Sequence, residues 1–386
     1  MQYKTFKDAK LSALGFGNMR LPTLDNGTID TDEANKMIAY AYENGINYFD
    51  TAYGYHGGES ERFIGASLAR FPRDTWYLAS KFPGYEKRAE WKPAEVFEEQ
   101  LQKCAVDYFD FYLLHNVYEN NLKTYLNTKW NIIDYLLAQK DAGRIKYLGF
   151  SSHAGNEIFM KFLSLYGDKM EFCQIELNAL DWKLQDAKTK YKALIERGIP
   201  VWVMEPVRGG RLASLSAANE ERLKAARPDE SIAAWAFRWL QTLPQVSVTL
   251  SGMTRMEQVQ DNVRTFAENK PLNTDEKKLY EEIISGLAEM LPCTSCRYCL
   301  SGCPRELDIP TLLALYNDCR FEPSMIANMA VDAMKPSKRP SSCIACGKCL
   351  EVCPQSINVP EALRHFQSIL DKIPHFALVP PVEEDE

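Results

Sequence analysis

The sequence predicts an α/β fold, a (β/α)8 barrel, followed by a small, mostly helical domain. Eight short apolar runs alternate with helix-like stretches between residues 11 and 270, which is the first observation behind this prediction. The second is that nine of the 11 cysteines lie in the last hundred residues, where the sequence pattern is mostly helical. A chain of 386 residues is long enough for two domains with ordinary hydrophobic cores.

The chain opens with MQYKTFKDAK, where apolar and charged residues alternate, and this pattern predicts a hairpin that closes one end of the barrel. Eight strands are predicted after it: SALGFG (12–17), NYFDTA (47–52), YLASKF (77–82), DFYLLH (110–115), KYLGFS (146–151), CQIEL (173–177), VWVMEP (201–206) and VSVTLS (246–251). The stretches between them are long enough for one amphipathic crossover helix each, as in TDEANKMIAYAYENG (31–45).

Alternating strands and helices indicate a parallel sheet, and eight such units in this length suggest a closed barrel. An open doubly wound sheet has the same alternation and is the alternative. The helical run KKLYEEIISGLAEML leads out of the barrel, so we place the barrel domain at 1–285 and the second domain at 286–386. The proline-rich, acidic end VPPVEEDE is expected to be frayed.

Composition narrows the class of protein. The formal net charge of −7 argues against nucleic acid as the main partner, because phosphate binding needs a basic surface. No apolar run approaches the length of a membrane span, and the first residues contain no apolar segment of a secretory signal. These features predict a cytoplasmic protein that binds neither nucleic acid nor membrane.

The late cysteines form two runs with the same spacing. The first is Cys293-x2-Cys296-x2-Cys299-x3-Cys303-Pro304 and the second is Cys343-x2-Cys346-x2-Cys349-x3-Cys353-Pro354. Both match the bacterial [4Fe–4S] run, in which the fourth cysteine of a two-cluster protein binds the other cluster. We therefore predict two clusters, and each is held by the first three cysteines of one run and the last cysteine of the other run. The ligands of the first cluster are Cys293, Cys296, Cys299 and Cys353, and those of the second are Cys343, Cys346, Cys349 and Cys303.

Two zinc sites are the alternative for the same eight thiolates, although such sites usually use separated CxxC pairs. About 40 residues with helical pattern separate the runs, so the domain resembles an α-helical ferredoxin domain more than the compact bacterial type. The three remaining cysteines are predicted to be buried small hydrophobic residues: Cys104, Cys173 and Cys319.

Titratable side chains stand at the ends of successive predicted strands. Asp50 and Tyr55 follow the second strand, Lys81 ends the third and His115 ends the fourth. In a (β/α)8 barrel the carboxyl ends of the strands form the active-site face. A carboxylate, a phenol, an amine and an imidazole are therefore expected to meet at one rim.

The segments FDTAYGYHGGESERFIG (49–65), LASKFP (78–83) and LLHNV (113–117) resemble the catalytic segments of the aldo-keto reductases, over roughly residues 8–270. The resemblance implies that Asp50, Tyr55, Lys81 and His115 form the family's catalytic tetrad. Tyr53 lies close in sequence, and the family spacing selects Tyr55.

These residue types suit carbonyl reduction. Hydride added to a carbonyl carbon leaves charge on the oxygen, which a phenol can protonate if a nearby ammonium favours the phenolate form. Asp50 is expected to hold the ammonium of Lys81, and His115 to polarise the carbonyl oxygen.

The resemblance also implies a nicotinamide cofactor, NADP(H) or NAD(H). Ser151, Ser152 (where asparagine is usual) and Gln174 fall where the family holds the carboxamide, and Met204 stands where many members stack an aromatic ring. GMTRMEQVQDN (252–262) resembles the phosphate and adenine segment and opens a helix, whose N-terminus favours anions. The predicted cofactor contacts there and at the other strand ends are Gly17, Gly209, Gly210, Arg211, Gly252, Arg255, Gln258 and Asn262. Loop aromatic residues suggest a partly aromatic substrate pocket: Tyr85, Trp91, Tyr118, Tyr125 and Trp182.

The sequence therefore predicts a nicotinamide-dependent oxidoreductase for a small carbonyl or alcohol, joined to clusters that transfer single electrons. A ferredoxin or flavoprotein would be the redox partner. Nicotinamide moves two electrons as hydride whereas a cluster moves one, and no flavin motif is visible to connect them. The alternative is an electron-transfer or docking protein with a barrel of low activity, whose clusters are structural or face a partner.

Overall fold

The structure, a computed structural model, describes residues 1–86, 88–119, 121–287, 291–321 and 325–372. The chain divides into two compact units, Met1–Ser285 and Gly286–Glu386. Within the described ranges, no helix combines the length and the apolar composition needed to cross a bilayer.

The described residues of the first unit form ten strands. They are β1 (Tyr3–Phe6), β2 (Ala9–Ser12), β3 (Leu14–Gly17), β4 (Tyr48–Asp50), β5 (Tyr77–Phe82), β6 (Phe109–Leu114), β7 (Ile145–Ser152), β8 (Cys173–Glu176), β9 (Val201–Met204) and β10 (Val246–Gly252). Strands β3 to β10 are parallel and form a closed barrel in chain order, with β10 pairing β3. The eight predicted strands are confirmed, and the open sheet is excluded by that closure.

Twelve α-helices are present in the described part of this unit. They are α1 (Thr31–Glu43), α2 (Glu59–Leu68), α3 (Pro93–Cys104), α4 (Leu122–Tyr125), α5 (Ile132–Asp141), α6 (Asn156–Tyr166), α7 (Asp181–Leu184), α8 (Ala187–Glu196), α9 (Ala217–Ala226), α10 (Ile232–Leu240), α11 (Met256–Thr265) and α12 (Thr274–Ser285). Local sequence fixes their starts: Asp30 accepts from the Glu33 N–H at α1, and Ser231 accepts from the Ala234 N–H at α10. Such caps satisfy N–H groups that a helix leaves without partners.

The N-terminal hairpin closes the barrel, as predicted. β1 and β2 pair antiparallel, and Phe6 is buried among aromatic rings of the barrel strands. Its ring lies 5.8 Å from Phe111 and 5.1 Å from Trp202 between centroids, in tilted and edge-on arrangements that favour aromatic packing. Because these rings come from the early parts of the strands, the opposite end of the barrel remains available for a site.

The second unit is helical, as predicted. Its helices are α13 (Ile309–Phe321), α14 (Met325–Asp332), α15 (Lys348–Val352) and α16 (Val359–Leu370). Leu312, Leu313, Leu363 and Phe366 form its core, against which cysteines of both runs pack. Cys104, Cys173 and Cys319 are buried, which confirms their predicted role as small apolar residues. The predicted fraying of VPPVEEDE lies outside the described residues.

Candidate active site and iron–sulfur ligand sets

Three neighbouring strands bring the predicted tetrad to one end of the barrel. Asp50 is the last residue of β4, Lys81 is the fifth residue of β5, and His115 directly follows β6. Tyr55 begins the 3₁₀ turn Tyr55–Gly58, a few residues beyond β4. Because parallel neighbours end on the same side, these side chains meet at the carboxyl end of the barrel.

A chain of short contacts joins three of the four residues. Lys81 Nζ lies 2.5 Å from Asp50 Oδ1, 2.7 Å from the Thr51 carbonyl oxygen and 3.4 Å from the Tyr55 hydroxyl oxygen. The His115 ring stands edge-on to the Tyr55 ring, with centroids 5.8 Å apart. The ammonium is thus held by a carboxylate and a carbonyl while it faces the phenol.

Burial controls the electrostatics of this group. Burial raises the pKa of Asp50 and lowers the pKa of Lys81. The positive charge of Lys81 opposes the first shift, and the negative charge of Asp50 opposes the second. Burial and the neighbouring Lys81 charge hold the pKa of His115 well below its ordinary value, so its imidazole is neutral at physiological pH. His115 Nδ1 is enclosed and makes no hydrogen bond within the described part of the chain.

The structure separates the two candidate tyrosines. The Tyr53 hydroxyl donates to the Glu99 carboxylate at 3.1 Å, and the Lys103 ammonium lies 4.0 Å from the centre of the Tyr53 ring. Neither contact involves Lys81, whose ammonium lies 3.4 Å from the Tyr55 hydroxyl oxygen instead. The local geometry thus agrees with the choice of Tyr55 that the family spacing implied.

Two of the aromatic residues expected at the pocket make structural contacts. Tyr125 and Trp91 are buried, and the Tyr125 hydroxyl donates to the His115 carbonyl oxygen at 2.7 Å, so it supports the backbone of the site. Trp91 packs on Phe82 at 5.1 Å between centroids. Tyr85 does stand at the site, edge-on to the His115 ring at 4.9 Å.

The residues predicted to hold a carboxamide lie on adjacent strands. Ser151 pairs with Gln174 across β7 and β8, and Gln174 Nε2 lies 3.7 Å from the Met204 sulfur. Gln174 Oε1 is enclosed and has no hydrogen-bond partner in the described ranges. The Ser152 hydroxyl is occupied: it donates to the Val117 carbonyl oxygen at 2.7 Å and accepts from the Ala154 N–H at 3.1 Å. Gln174 therefore fits a bound amide better than Ser152 does.

The glycines of the expected phosphate region lie at two loops. Gly17 pairs with both Asp50 and Gly252, and a Cβ on Gly252 would stand 3.0 Å from the Arg20 side chain. Gly209 and Gly210 adopt φ of 64° and 95°, the left-handed region that favours glycine, in the turn Arg208–Ala213 that also contains Arg211.

Glu205 and Arg20 were not predicted from the sequence. The Glu205 carboxylate accepts from the Gly209 N–H at 2.6 Å and from Arg20 Nη2 at 3.3 Å. This ion pair connects the loops after β9 and β3 at the carboxyl end of the barrel. No motif signalled it, because the two residues are 185 positions apart.

The predicted adenine and phosphate residues lie on α11 and differ in availability. Gln258 Oε1 accepts from the Thr254 and Arg255 N–H groups, so it caps the helix. Asn262 is buried and donates to the Ser251 hydroxyl. Arg255 is exposed, and its guanidinium makes no hydrogen bond or ion pair to the residues that the structure describes. Of the three, Arg255 is available to a ligand without rearrangement.

Two cavities in the described part of the second unit are each lined by four cysteines, three from one run and one from the other. The first is lined by Cys293, Cys296, Cys299 and Cys353, and the second by Cys343, Cys346, Cys349 and Cys303. Four thiols around one space are the donor set of a [4Fe–4S] cluster. The grouping is the one that the crossed-ligand rule predicts.

Comparisons with known proteins agree with both units. A family model described as "Aldo/keto reductase family" matches residues 13–285, and one described as "4Fe-4S dicluster domain" matches 292–357. L-galactose dehydrogenase of Arabidopsis thaliana is 26% identical, over 70% of this chain and 89% of that protein. NADH-specific methylglyoxal reductase of Escherichia coli (strain K12) is 26% identical, over 72% and 97%.

Among solved structures, an aldo-keto reductase from Bacillus halodurans in its holo form aligns with a TM-score of 0.60 at 25% identity, over 73% of this chain and 96% of that one. The matched family model spans most of the chain and ends where the barrel unit ends. The chain therefore belongs to the aldo/keto reductase family, as an oxidoreductase whose barrel is followed by a 4Fe–4S dicluster domain.

Proposed function

We propose that the barrel transfers hydride between a nicotinamide dinucleotide and the carbonyl or carbinol carbon of a small molecule. The observation that carries this proposal is the buried contact chain from Asp50 through Lys81 to Tyr55, at 2.5 and 3.4 Å. The names of the relatives describe a dehydrogenase and a reductase, which support the same reaction class.

Gln174 would hold the nicotinamide ring, since its enclosed, unpartnered Oε1 can accept from a carboxamide, and Met204 beside it can cover a ring face. A bound reduced nicotinamide supplies hydride to the carbonyl carbon. The remaining work falls to residues of this chain.

Tyr55 gives its proton to the carbonyl oxygen as negative charge develops there. Lys81 holds that phenol in place and stabilises its anion, and Asp50 keeps the ammonium charged and oriented despite burial. His115, neutral at physiological pH, donates an N–H hydrogen bond to the same oxygen. In the oxidative direction Tyr55 receives the proton back.

Anaerobically purified protein is expected to consume NADPH or NADH with members of a panel of aldehydes and quinones, and to bind the nicotinamide nucleotide in a fluorescence titration. Binding and turnover together support the proposal. Absence of nicotinamide binding, with clusters that respond only to a low-potential donor, would favour the alternative electron-transfer or docking protein.

For the nucleotide we propose a preference for NADP(H), since the Arg255 guanidinium is exposed and suits a ribose 2′-phosphate. Arg255→Ala is expected to weaken NADPH binding about ten- to a hundredfold, as for a lost charge-assisted hydrogen bond, with little change for NADH. Titration of fluorescence with each nucleotide measures this ratio.

Arg264→Ala removes the same charge from the other end of the same helix and serves as the matched control. Equal affinities for both nucleotides in the unmodified protein, unaltered by Arg255→Ala, would contradict the role of Arg255.

For the second domain we propose two [4Fe–4S] clusters that exchange single electrons with a ferredoxin or a flavoprotein. The two four-cysteine cavities support the number of clusters, and their crossed ligands keep the clusters close together. The reducing cytoplasm, where thiols are not lost to disulfides, is the proposed location.

A further inference from the structure

We propose that the open side of the ligand set Cys303, Cys343, Cys346 and Cys349 is a docking surface for a small acidic one-electron carrier protein. The surface consists of Ile344, Cys346, Leu350, Arg305 and Lys348, and we call it the Cys346 surface. The inference rests on the proposed one-electron role of the clusters and names the partner's chemistry and point of contact.

Ligand exposure distinguishes the two cysteine sets. Cys346 is exposed, whereas Cys349 is buried and the other six predicted ligands are half-buried. An electron carrier must come close to a cluster ligand, so the set that contains Cys346 offers the more direct approach. The set with Cys293, Cys296, Cys299 and Cys353 has no exposed member.

Apolar side chains flank the exposed cysteine. Ile344 and Leu350 are 53% and 40% exposed, and Ile344 has the largest exposed fraction of any large hydrophobic residue that the structure describes. Ile344 and Cys346 line the same cavity, and Leu350 lies on the short helix α15 that follows. Exposed apolar residues grouped at a functional site are typical of a protein interface.

The charges at this opening are positive. Among the described residues that line the cavity of Cys303, Cys343, Cys346 and Cys349, Arg305 is the one charged residue. Lys348 lies beside Gly302, and its Cβ would be 3.8 Å from a Cβ at that position. Neither Arg305 nor Lys348 forms an ion pair with the residues that the structure describes.

The sequence around this opening also carries a net positive charge. Residues 332–351 contain four cations and two carboxylates, Asp332 and Glu351, so this segment carries an excess of positive charge in a chain whose net charge is −7. Two neighbouring acids are bound by cations, Glu306 by Lys338 at 2.9 Å and Asp332 by Arg339 at 3.5 Å. An apolar centre with cations at its rim complements an acidic protein partner, since rim charges steer association and select partners.

The test measures binding, independently of turnover. The full-length, cluster-loaded protein is immobilised and titrated with a purified acidic [2Fe–2S] ferredoxin by surface plasmon resonance. Arg305→Glu with Lys348→Glu is expected to raise the dissociation constant about tenfold or more and to flatten its salt dependence. Ile344→Ser is expected to raise it about fivefold with the salt dependence retained.

Matched controls lie on the barrel. Lys188→Glu with Lys192→Glu changes the net charge equally on exposed positions of α8, and Leu165→Ser removes a 51% exposed leucine from α6. Both should bind the ferredoxin like the unmodified protein. Iron content and absorbance, measured on every variant, verify that the clusters are loaded.

Three results would overturn the proposal: equal losses in the barrel controls, binding to phosphatidylserine vesicles in place of the ferredoxin, or concentration-dependent self-association abolished by Ile344→Ser. A redox titration of the same samples distinguishes failure of the one-electron role from failure of the Cys346 surface. Clusters that cannot be reduced would contradict the one-electron role, whereas reducible clusters without ferredoxin binding would contradict the Cys346 surface alone.

Discussion

Tyr55→Phe is expected to lower kcat for carbonyl reduction by about a thousandfold, within the range for loss of a general acid. The substitution removes one hydroxyl, 3.4 Å from Lys81 Nζ, and leaves the ring and its edge contact with His115 in place. Because the phenol is needed only to deliver a proton in the transition state, the dissociation constant of the nicotinamide nucleotide should change little. Steady-state rates and fluorescence titration separate the two quantities.

Tyr53→Phe is the matched control, since it removes the same group from a residue whose hydroxyl donates to Glu99 instead. Its kcat should stay close to that of the unmodified protein. If the Tyr55 variant retained most of its kcat while the Tyr53 variant lost it, the assignment of the acid would pass to Tyr53.

Cys353→Ser is expected to remove the cluster that the first run holds, although Cys353 belongs to the second run. Iron in anaerobically purified protein should fall from about eight to about four atoms per chain, as expected for the loss of one of two [4Fe–4S] clusters. The reason is that Cys353 lines the cavity of Cys293, Cys296 and Cys299. Iron and sulfide analysis, with the visible absorbance of the brown protein, measures this loss.

Double substitutions show to which set Cys353 belongs. Cys353→Ser with Cys296→Ser should lose no more iron than Cys353→Ser alone, because both ligands serve one cluster. Cys353→Ser with Cys346→Ser should lose nearly all of it. If the variant with Cys296→Ser lost nearly all of the iron and the variant with Cys346→Ser lost only half, each run would hold its own cluster. Zinc in place of iron after anaerobic reconstitution would contradict the prediction of iron–sulfur clusters.

Much of the fold could be predicted because its signals are local. Runs such as YLASKF are apolar and flanked by polar turns, and the structure has a strand there with the same bounds, Tyr77–Phe82. The positions of Asp50, Lys81 and His115 at strand ends follow from the same pattern, since the order of parallel strands converts sequence spacing into spatial proximity. The spacing of the cysteine runs is a local signal of the same kind, and it predicts iron–sulfur ligation.

The sequence by itself determined the barrel and the strand ends that bear titratable residues, and it predicted which cysteines would bind the clusters. Only the tertiary structure decided that Tyr53 contacts Glu99, that Tyr125 supports the His115 backbone, and that Glu205 reaches Gly209 and Arg20. It also decided that Gln258 caps its helix and that Cys346 is the exposed one among the eight predicted ligands. The physical reason is that periodicity fixes which backbone segment a residue occupies, whereas hydrogen bonds and burial depend on partners that are distant in sequence.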